Sequence, residues 1–387
     1  MDFDWTAEQL ELRDSILDFA RRGLSDGDGA PDTGGADSFR RDLWKRCGEF
    51  GILGLPVPRE YGGSALDMVT TTFAMEALGE GCRDHGLLFS MHAHMWAVVM
   101  PLLAFGTPVQ KERFVPGLCD GTLIGAHGIS EPGSGSDAYA MRARAVRDGD
   151  HYVLNGTKTF VTNAPVGDLF VVFATVKPER GMWGVTAFAI ERGTPGLSVS
   201  RPFKKMGLTT SPMGEVVLDD CRVPVESRLG KEGQGATIFN HSMGWERSCI
   251  LASQVGRMQH QLQACVTYAK EREQFGKPIG NFQLVAAKLA DMKVRLETSR
   301  LLLYRAAWQL AKSGEGGAME AAMAKLYISE AAVASALDAV QVHGGYGYMQ
   351  EYGVERELRD AVGGTLYSGT SEIQRLLIAR HLGLSPA

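Results

Sequence analysis

Residues 170–190 decide the fold. Phe170-Val171-Val172-Phe173-Ala174 and Val185-Thr186-Ala187-Phe188-Ala189-Ile190 are short runs rich in aromatic and β-branched residues, and turn chemistry bounds them, with Asp148-Gly149-Asp150 before and Thr194-Pro195-Gly196 after. Runs of this kind read as strands. They lie in a segment from Ala126 to Arg228 that breaks into short alternating stretches, so a compact β unit of about a hundred residues is expected there.

On both sides the period changes to that of helices. Toward the N-terminus, Leu10, Leu12, Ile16, Leu17 and Phe19 recur at helical spacing, a second run passes through Trp44, Cys47, Phe50 and Leu53, and a Gly/Asp-rich loop from Gly23 to Gly35 separates them. Toward the C-terminus the helical pattern returns after Gly233-Gln234-Gly235 and runs over 237–271, 281–313 and 317–342, with a turn at Phe275-Gly276-Lys277-Pro278. Helices of ~30 residues are about 45 Å long and can pack as a bundle. The expected class is α+β in three units: a helical domain over 1–122, a β domain over 123–232 and a helical bundle over 233–387.

The 387 residues carry 40 Lys plus Arg against 45 Asp plus Glu, a formal net charge of −5, which argues against a nucleic-acid partner. With 44% hydrophobic and 22% charged residues the composition is globular, excluding fibre and disorder as overall descriptions. Six scattered cysteines with no C-x-x-C pair give neither a zinc framework nor a disulfide scaffold. The start, Met1-Asp2-Phe3-Asp4-Trp5, is acidic, unlike a signal or transit peptide, and the apolar stretch Met95 to Phe105 is too short to span a bilayer. A cytoplasmic protein with no membrane partner is expected.

Three segments invite a ligand reading, two of them rich in glycine. Gly128-Ile129-Ser130-Glu131-Pro132-Gly133-Ser134-Gly135-Ser136-Asp137 exposes backbone N–H groups and small hydroxyls, as cofactor-binding loops do, although by itself it is a plain turn and is not the dinucleotide fingerprint. Gln341-Val342-His343-Gly344-Gly345-Tyr346-Gly347 reads locally as a helix stop. Tyr367-Ser368-Gly369-Thr370-Ser371-Glu372 reads as an N-cap before a last helix from Ile373 to Leu382.

In joint order the motifs are specific. An α-β-α chain carrying S-E-P-G-S-G-S-D, then N-G-x-K-x-F-V-T-N at 155–163, R-E-Q-F-G-K-P-I at 272–279, Q-V-H-G-G-Y-G and Y-S-G-T-S-E-I-Q-R resembles the acyl-CoA dehydrogenase family over nearly its whole length. The resemblance implies an N-terminal helical domain, a central β-barrel-like domain, a C-terminal four-helix bundle, and a homotetramer with one FAD per subunit. It implies that His127 to Ser136, including Ile129, Ser130 and Gly135, together with Phe160, Val161 and Thr162, wall the flavin ring and ribityl chain. The aromatic commonly Trp in the family is Phe160 here. Arg272 and the turn to Phe275 would reach the ADP half of a partner subunit's FAD. Gln283, Gln341, Val342, Gly344 and Gly345 would contact the same adenosine diphosphate, with Thr370, Ser371 and Glu372 returning to the cofactor. Arg supplies a fork of donors for pyrophosphate, and a helix N-terminus favours negative charge.

Dehydrogenation of a thioester needs a base for the α-proton. Many family members carry it as Glu in Y-E-G-T, whereas this chain reads Tyr367-Ser368-Gly369-Thr370, and a serine without its own base cannot take that proton. The isovaleryl and long-chain branches carry the carboxylate on the first long helix of the C-terminal domain. There this chain has Trp245-Glu246-Arg247, so Glu246 is the expected base, with burial raising its pKa toward the working pH. The enolate oxygen would be held by the backbone N–H of Ser368 and a ribityl hydroxyl. Ser136, Trp245, Arg247, Tyr367, Ser368 and Gly369 are the expected substrate contacts. The acyl group would ride on CoA or, as in the prolyl-carrier-protein dehydrogenases that also use the helix-borne Glu, on a carrier protein. Trp245 points to a short, branched or cyclic acyl group. An electron-transferring flavoprotein would reoxidise the flavin.

Other readings are an oxidase or monooxygenase on the same fold, which the presence of Glu246 opposes, and a silent scaffold. His92-Ala93-His94 lies in a helical pattern without a third ligand, so no metal is expected. No G-x-S-x-G elbow occurs. Asp26-Gly27-Asp28-Gly29 starts like a calcium loop, but Ala30 and Pro31 stand where a ligand and the turn glycine are needed, so a solvated acidic loop is expected.

Overall fold

The computed structural model describes residues 4–24, 38–313 and 317–384. The acidic loop at 26–31 lies outside the described residues. Helices fill the N-terminal third: α1 (Ala7–Gly23), α2 (Arg41–Glu49), α3 (Met68–Gly81), α4 (His85–His94), α5 (Met100–Phe105) and α6 (Pro108–Cys119). Their starts follow side-chain capping. Thr6 with Gln9 and Thr107 with Gln110 form reciprocal capping boxes, and the Asp67 carboxylate accepts from Val69 and Thr70 N–H.

Between α4 and α5 the backbone winds as a π-helical turn, Met95–Val99, giving one continuous helix from His85 to Phe105. This apolar helix has 21 residues, longer than the sequence reading allowed, and by length and composition it could span a bilayer. It is instead packed into the protein interior, with Met91, Met95, Trp96, Val98 and Leu102 buried.

The β unit comprises β1 (Gly125–Gly128), β2 (Arg144–Asp148), β3 (His151–Thr162), β4 (Leu169–Thr175), β5 (Val185–Glu191), β6 (Leu197–Val199), β7 (Met213–Pro224) and β8 (Arg228–Leu229). Strand order is β6-β7-β3-β2-β4-β5-β8, with β1 parallel to β4. β4 is buried at every residue, which differs from a half-exposed alternation. The reason is a core on each face. Leu169, Val171 and Phe173 pack with Leu102, Phe114 and Ile238, while Phe170, Val172 and Ala174 pack with Tyr152, Leu154 and Val216.

The C-terminal part comprises α7 (Gly235–Cys249), α8 (Ala252–Glu271), the hairpin β9 (Glu273–Gln274) with β10 (Lys277–Pro278), α9 (Gln283–Ser313), α10 (Ala318–His343), α11 (Val354–Gly363) and α12 (Ser371–His381). The helix expected over 237–271 is broken at Ile250 and Leu251. Both residues are buried and no Gly or Pro marks the break, so tertiary packing overrides local propensity there. Cys249, Val255 and Met258 join the N-terminal helices in one core with Met75, Leu78 and Trp96. All six cysteines are buried and unpaired.

Candidate active site

Glu246 lies three residues from the end of α7, on the face that enters the core, and it is 7% exposed. Its carboxylate meets the turn between α11 and α12: Ser368 Oγ donates to Glu246 Oε2 at 2.5 Å. Among the described residues this is the one hydrogen bond to that carboxylate, leaving Oε1 without a donor. Burial pushes the Glu246 pKa up to about 7, against the opposing pull of the Ser368 hydroxyl, Arg247 and Lys325.

The turn is held from three helices. Lys325 Nζ, from the interior of α10, donates to Gly369 O at 2.6 Å. Gln374 Nε2 on α12 donates to Ser368 O and Gly369 O at 3.3 and 2.9 Å, and Arg247 Nε on α7 approaches Ser368 O at 3.4 Å. Ser368 is in the left-handed region at φ 55°, followed by Gly369 at φ 91°. Such a conformation in a non-glycine persists when its surroundings over-determine it. Lys325 is fully buried, and burial lowers its pKa to about 8.

Aromatic rings pack around the helix and the turn that carry Glu246 and Ser368. Trp245 stacks on Trp96 with centroids 5.8 Å apart and planes 12° from parallel. Both rings are anchored, Trp245 Nε1 on His241 Nε2 at 3.2 Å and Trp96 Nε1 on His92 Nδ1 at 2.8 Å. Phe89 meets Tyr367 at 4.5 Å. Tyr139 Oη donates to Asn240 on α7 at 3.2 Å, bringing the loop after Ser136 against the helix of Glu246.

Around the β unit, Glu131 of the glycine-rich loop accepts from Arg142 and Ala143 N–H at 2.6 and 2.9 Å and from the buried Lys158 Nζ at 2.7 Å. Burial works against ionisation of Glu131, but Lys158 and the two N–H donors outweigh it and hold the carboxyl below its ordinary value. This clip fixes the loop to β3. On the same strand Val161 is buried, whereas Phe160 is 65% exposed at φ 56°. His127 on β1 lies against Phe173 and Phe239, its Nε2 buried without a partner. Burial first, and Lys158 second, lower its pKa to about 4, so the ring is neutral.

A second cluster forms around the β9–β10 hairpin and the end of α10. The Arg272 guanidinium sits 5.6 Å over the Tyr346 ring, and Tyr268 stacks on His343 at 4.2 Å, joining the start of the hairpin to the Gln341–Gly345 segment. Phe275 stands 93% exposed at φ 51° on the hairpin tip, near Phe282, and Gln283 begins α9 exposed. Gln341, Gly344 and Gly345 are exposed, and Val342 is buried. Among the described residues no hydrogen bond or ring contact joins this cluster to the Glu246–Ser368 pair. Thr370 caps α12 by accepting from Ile373 N–H, and Glu372 is exposed in its first turn.

His92 and His94 point to different partners. Trp96 donates to His92 Nδ1, so His92 Nε2–H faces Ser253 Oγ. Gly125 N–H donates to His94 Nδ1, so its Nε2–H faces Leu118 O. Burial holds both far below ordinary histidine, at about 3 and about 4. Both rings are thereby used by the core. Among the described residues no group of three His, Cys, Asp or Glu is arranged for a metal.

Sequence reasoning missed Trp96, Phe89, Lys325 and Lys158. Lys325 was detectable, since it falls with Ala321, Ile328 and Ala332 on one helical face that is otherwise apolar.

The helix–sheet–helix architecture is that of an acyl-thioester dehydrogenase, and the chain belongs to the acyl-CoA dehydrogenase family. Its N-terminal domain description matches residues 6–122, its middle domain 126–221 and its C-terminal domain 233–383. The chain is accordingly an FAD-dependent oxidoreductase of the acyl-thioester dehydrogenase type. An L-prolyl-[peptidyl-carrier protein] dehydrogenase of Pseudomonas fluorescens is 48% identical over 89% of this chain and 91% of its own. Among solved structures, that of the prolyl acyl carrier protein oxidase AnaB has a TM-score of 0.95 at 48% identity, covering 98% of this chain and 100% of that one. PigA with FAD and proline has a TM-score of 0.95 at 42% identity, covering 99% and 100%.

The residues present fit a flavin. Phe160 offers an exposed ring face from a strained position, and at Gly133 and Gly135 nothing lies within 4 Å of where a Cβ would be, so the loop backbone is open to a ligand.

Proposed function

We propose that this protein dehydrogenates an L-prolyl or similarly small acyl thioester tethered to a carrier protein, with Glu246 as the base. The observation that carries the reading is the buried Glu246 carboxylate, set against the Tyr367–Gly369 turn with one oxygen undonated. At a working pH near its own pKa of about 7, Glu246 is deprotonated often enough to accept a proton and holds it well enough to be a competent base. Bound FAD would supply the acceptor for the hydrogen that leaves the β-carbon. Phe160 and the loop from Ile129 to Ser136 would hold its ring system, and the Ser368 N–H would face the thioester oxygen. Oxyanion donors of this kind stabilise the charge that develops as the α-proton leaves.

The anchored Trp96–Trp245 pair supports a small, ring-sized acyl group, because a long chain would have to displace two hydrogen-bonded indoles. The carrier-bound prolyl group follows from the relatives named above. The assembly we infer is a homotetramer. Val294, Leu301 and Trp308 are exposed at seven-residue spacing on α9, with Leu337 on α10, and an apolar stripe of this kind is commonly covered by another copy. Arg272, Phe275, Gln283 and the Gln341–Gly345 segment would then serve a neighbouring subunit's FAD. We place the enzyme in the cytoplasm, with an electron-transferring flavoprotein as acceptor. The oxidase reading has one observation in its favour, the name of AnaB.

The test offers prolyl and other acyl groups on CoA and on a carrier protein side by side, without oxygen. Loss of two hydrogens by mass spectrometry from the carrier-bound prolyl group, with flavin bleaching, supports the proposal. Turnover of straight-chain CoA esters alone overturns the substrate class. Reoxidation of the reduced enzyme by oxygen within turnover time would make it an oxidase.

A further inference from the structure

We propose that Ser368 is a positioning residue for Glu246: its hydroxyl fixes the carboxylate through Oε2 and leaves Oε1 facing the substrate's α-carbon. The inference rests on Glu246 being the base. A glutamate on a helix has three rotatable side-chain bonds, the last broad and nearly two-fold, so burial alone does not fix the plane of its carboxylate. The 2.5 Å bond from Ser368 fixes it.

Ser368 is itself immobilised. Its backbone is left-handed, a conformation glycine would adopt without strain, so what the serine adds at this position is its hydroxyl. Lys325, Gln374 and Arg247 secure the carbonyls of Ser368 and Gly369 from α10, α12 and α7. The donor thus reaches Glu246 from a platform that does not share its helix.

The bond also sets when Glu246 titrates. The charged and titratable groups facing it are Arg247 on its own helix, Lys325 on α10 and Tyr367 on the turn, and of the turn's side chains the Ser368 hydroxyl is the one that donates to the carboxylate. A donor to the charged form favours that form, so removing it makes Glu246 harder to ionise.

The test compares S368A, S368G and E246Q as FAD-loaded enzymes. One readout is the pH dependence of anaerobic flavin reduction by L-prolyl thioester on its carrier protein. The other needs no substrate: infrared difference titration of the protonated Glu246 carboxyl, assigned as the C=O band that E246Q lacks. S368A and S368G are expected to move the titration and the acid limb of the rate upward by about one unit or more, with a lower plateau rate and little change in KM. S368G keeps the turn without strain, which separates loss of the hydroxyl from a folding defect. If E246Q is inert and the Ser368 variants leave both titrations where they were, the positioning role is overturned and Glu246 remains the base. Rapid flavin reduction by E246Q overturns both.

Discussion

Ser368 Oγ and Glu246 Oε2 lie 2.5 Å apart although 122 residues separate them in the chain. The turn where the family resemblance leads one to expect a glutamate and the helix that carries one here therefore address the same point in space. A second carboxylate on this turn, held close to Glu246, would make it hard for both to ionise at once.

Removing that carboxylate should remove the chemistry and little else. E246Q is expected to slow flavin reduction by roughly 10²–10⁴-fold, the usual worth of a general base, with FAD content unchanged. Stopped-flow absorbance with the carrier-bound prolyl thioester measures it. In wild-type enzyme the rate should rise with pH through about 7, as the carboxyl loses its proton.

Stability should run the other way. The folded-state pKa of Glu246, about 7, stands above its ordinary 4.5, so the folded protein holds this proton more tightly than the unfolded chain. The favourable contribution is complete below the ordinary value and is lost as pH rises through about 7. Urea titrations should find E246Q more stable than wild type at alkaline pH by up to about 3 kcal/mol, with the gap closing in acid.

Trp245→Ala should enlarge the acyl space. The ratio of kcat/KM for longer straight-chain thioesters to that for the prolyl group is expected to rise about 10-fold or more, since each accommodated methylene is worth roughly that factor. An unchanged ratio across a chain-length series would place the acyl group elsewhere.

The Lys158–Glu131 pair should matter to the flavin loop more than to the chemistry. Lys158→Met leaves a buried carboxylate facing two N–H donors without its cation, a loss of about 3–5 kcal/mol. Adding Glu131→Gln should recover only part of it, because the charge is gone but the single amide oxygen accepts from one of those N–H groups while its NH2 faces the other. Denaturation midpoints and FAD retention report both effects.

If Arg272 and Phe275 serve a neighbour's cofactor, R272Q and F275A should lose FAD more readily than wild type while the pH profile of the remaining holoenzyme stays in place. Mixed oligomers of E246Q and R272Q should then show more activity at limiting FAD than the sum of the two parents, because one site in each hybrid pair combines the intact glutamate with an intact arginine. Fluorescence of released FAD and activity of co-expressed hybrids are the measurements.

Much of this was legible in the chain, and the limits have physical causes. The β unit announced itself because the period of Phe170–Ala174 and Val185–Ile190 differs from that of the flanking helices. Glu246 was singled out as the expected base through the serine at 368 combined with a resemblance, and the structure buries it beside that serine; a single glutamate on a helix has no signature of its own. The break at Ile250 and Leu251 was illegible because buried apolar residues, rather than Gly or Pro, form it. The pairing of Trp96 with Trp245 was illegible for a related reason. It depends on how two helices distant in sequence cross, and neither helix records the other's register.

The π-helical turn at Met95–Val99 adds a consequence of another kind. A π turn is an α-helix lengthened by one residue, and this one packs against both α7, the helix of Glu246, and β1, the strand of His127. A relative without the bulge should be one residue shorter between His94 and Pro101, and its indole could not arrive at the same azimuth. If the Trp96–Trp245 pair shapes the acyl site, the length of that single helix becomes a mark, readable by counting residues, of relatives that share this shape.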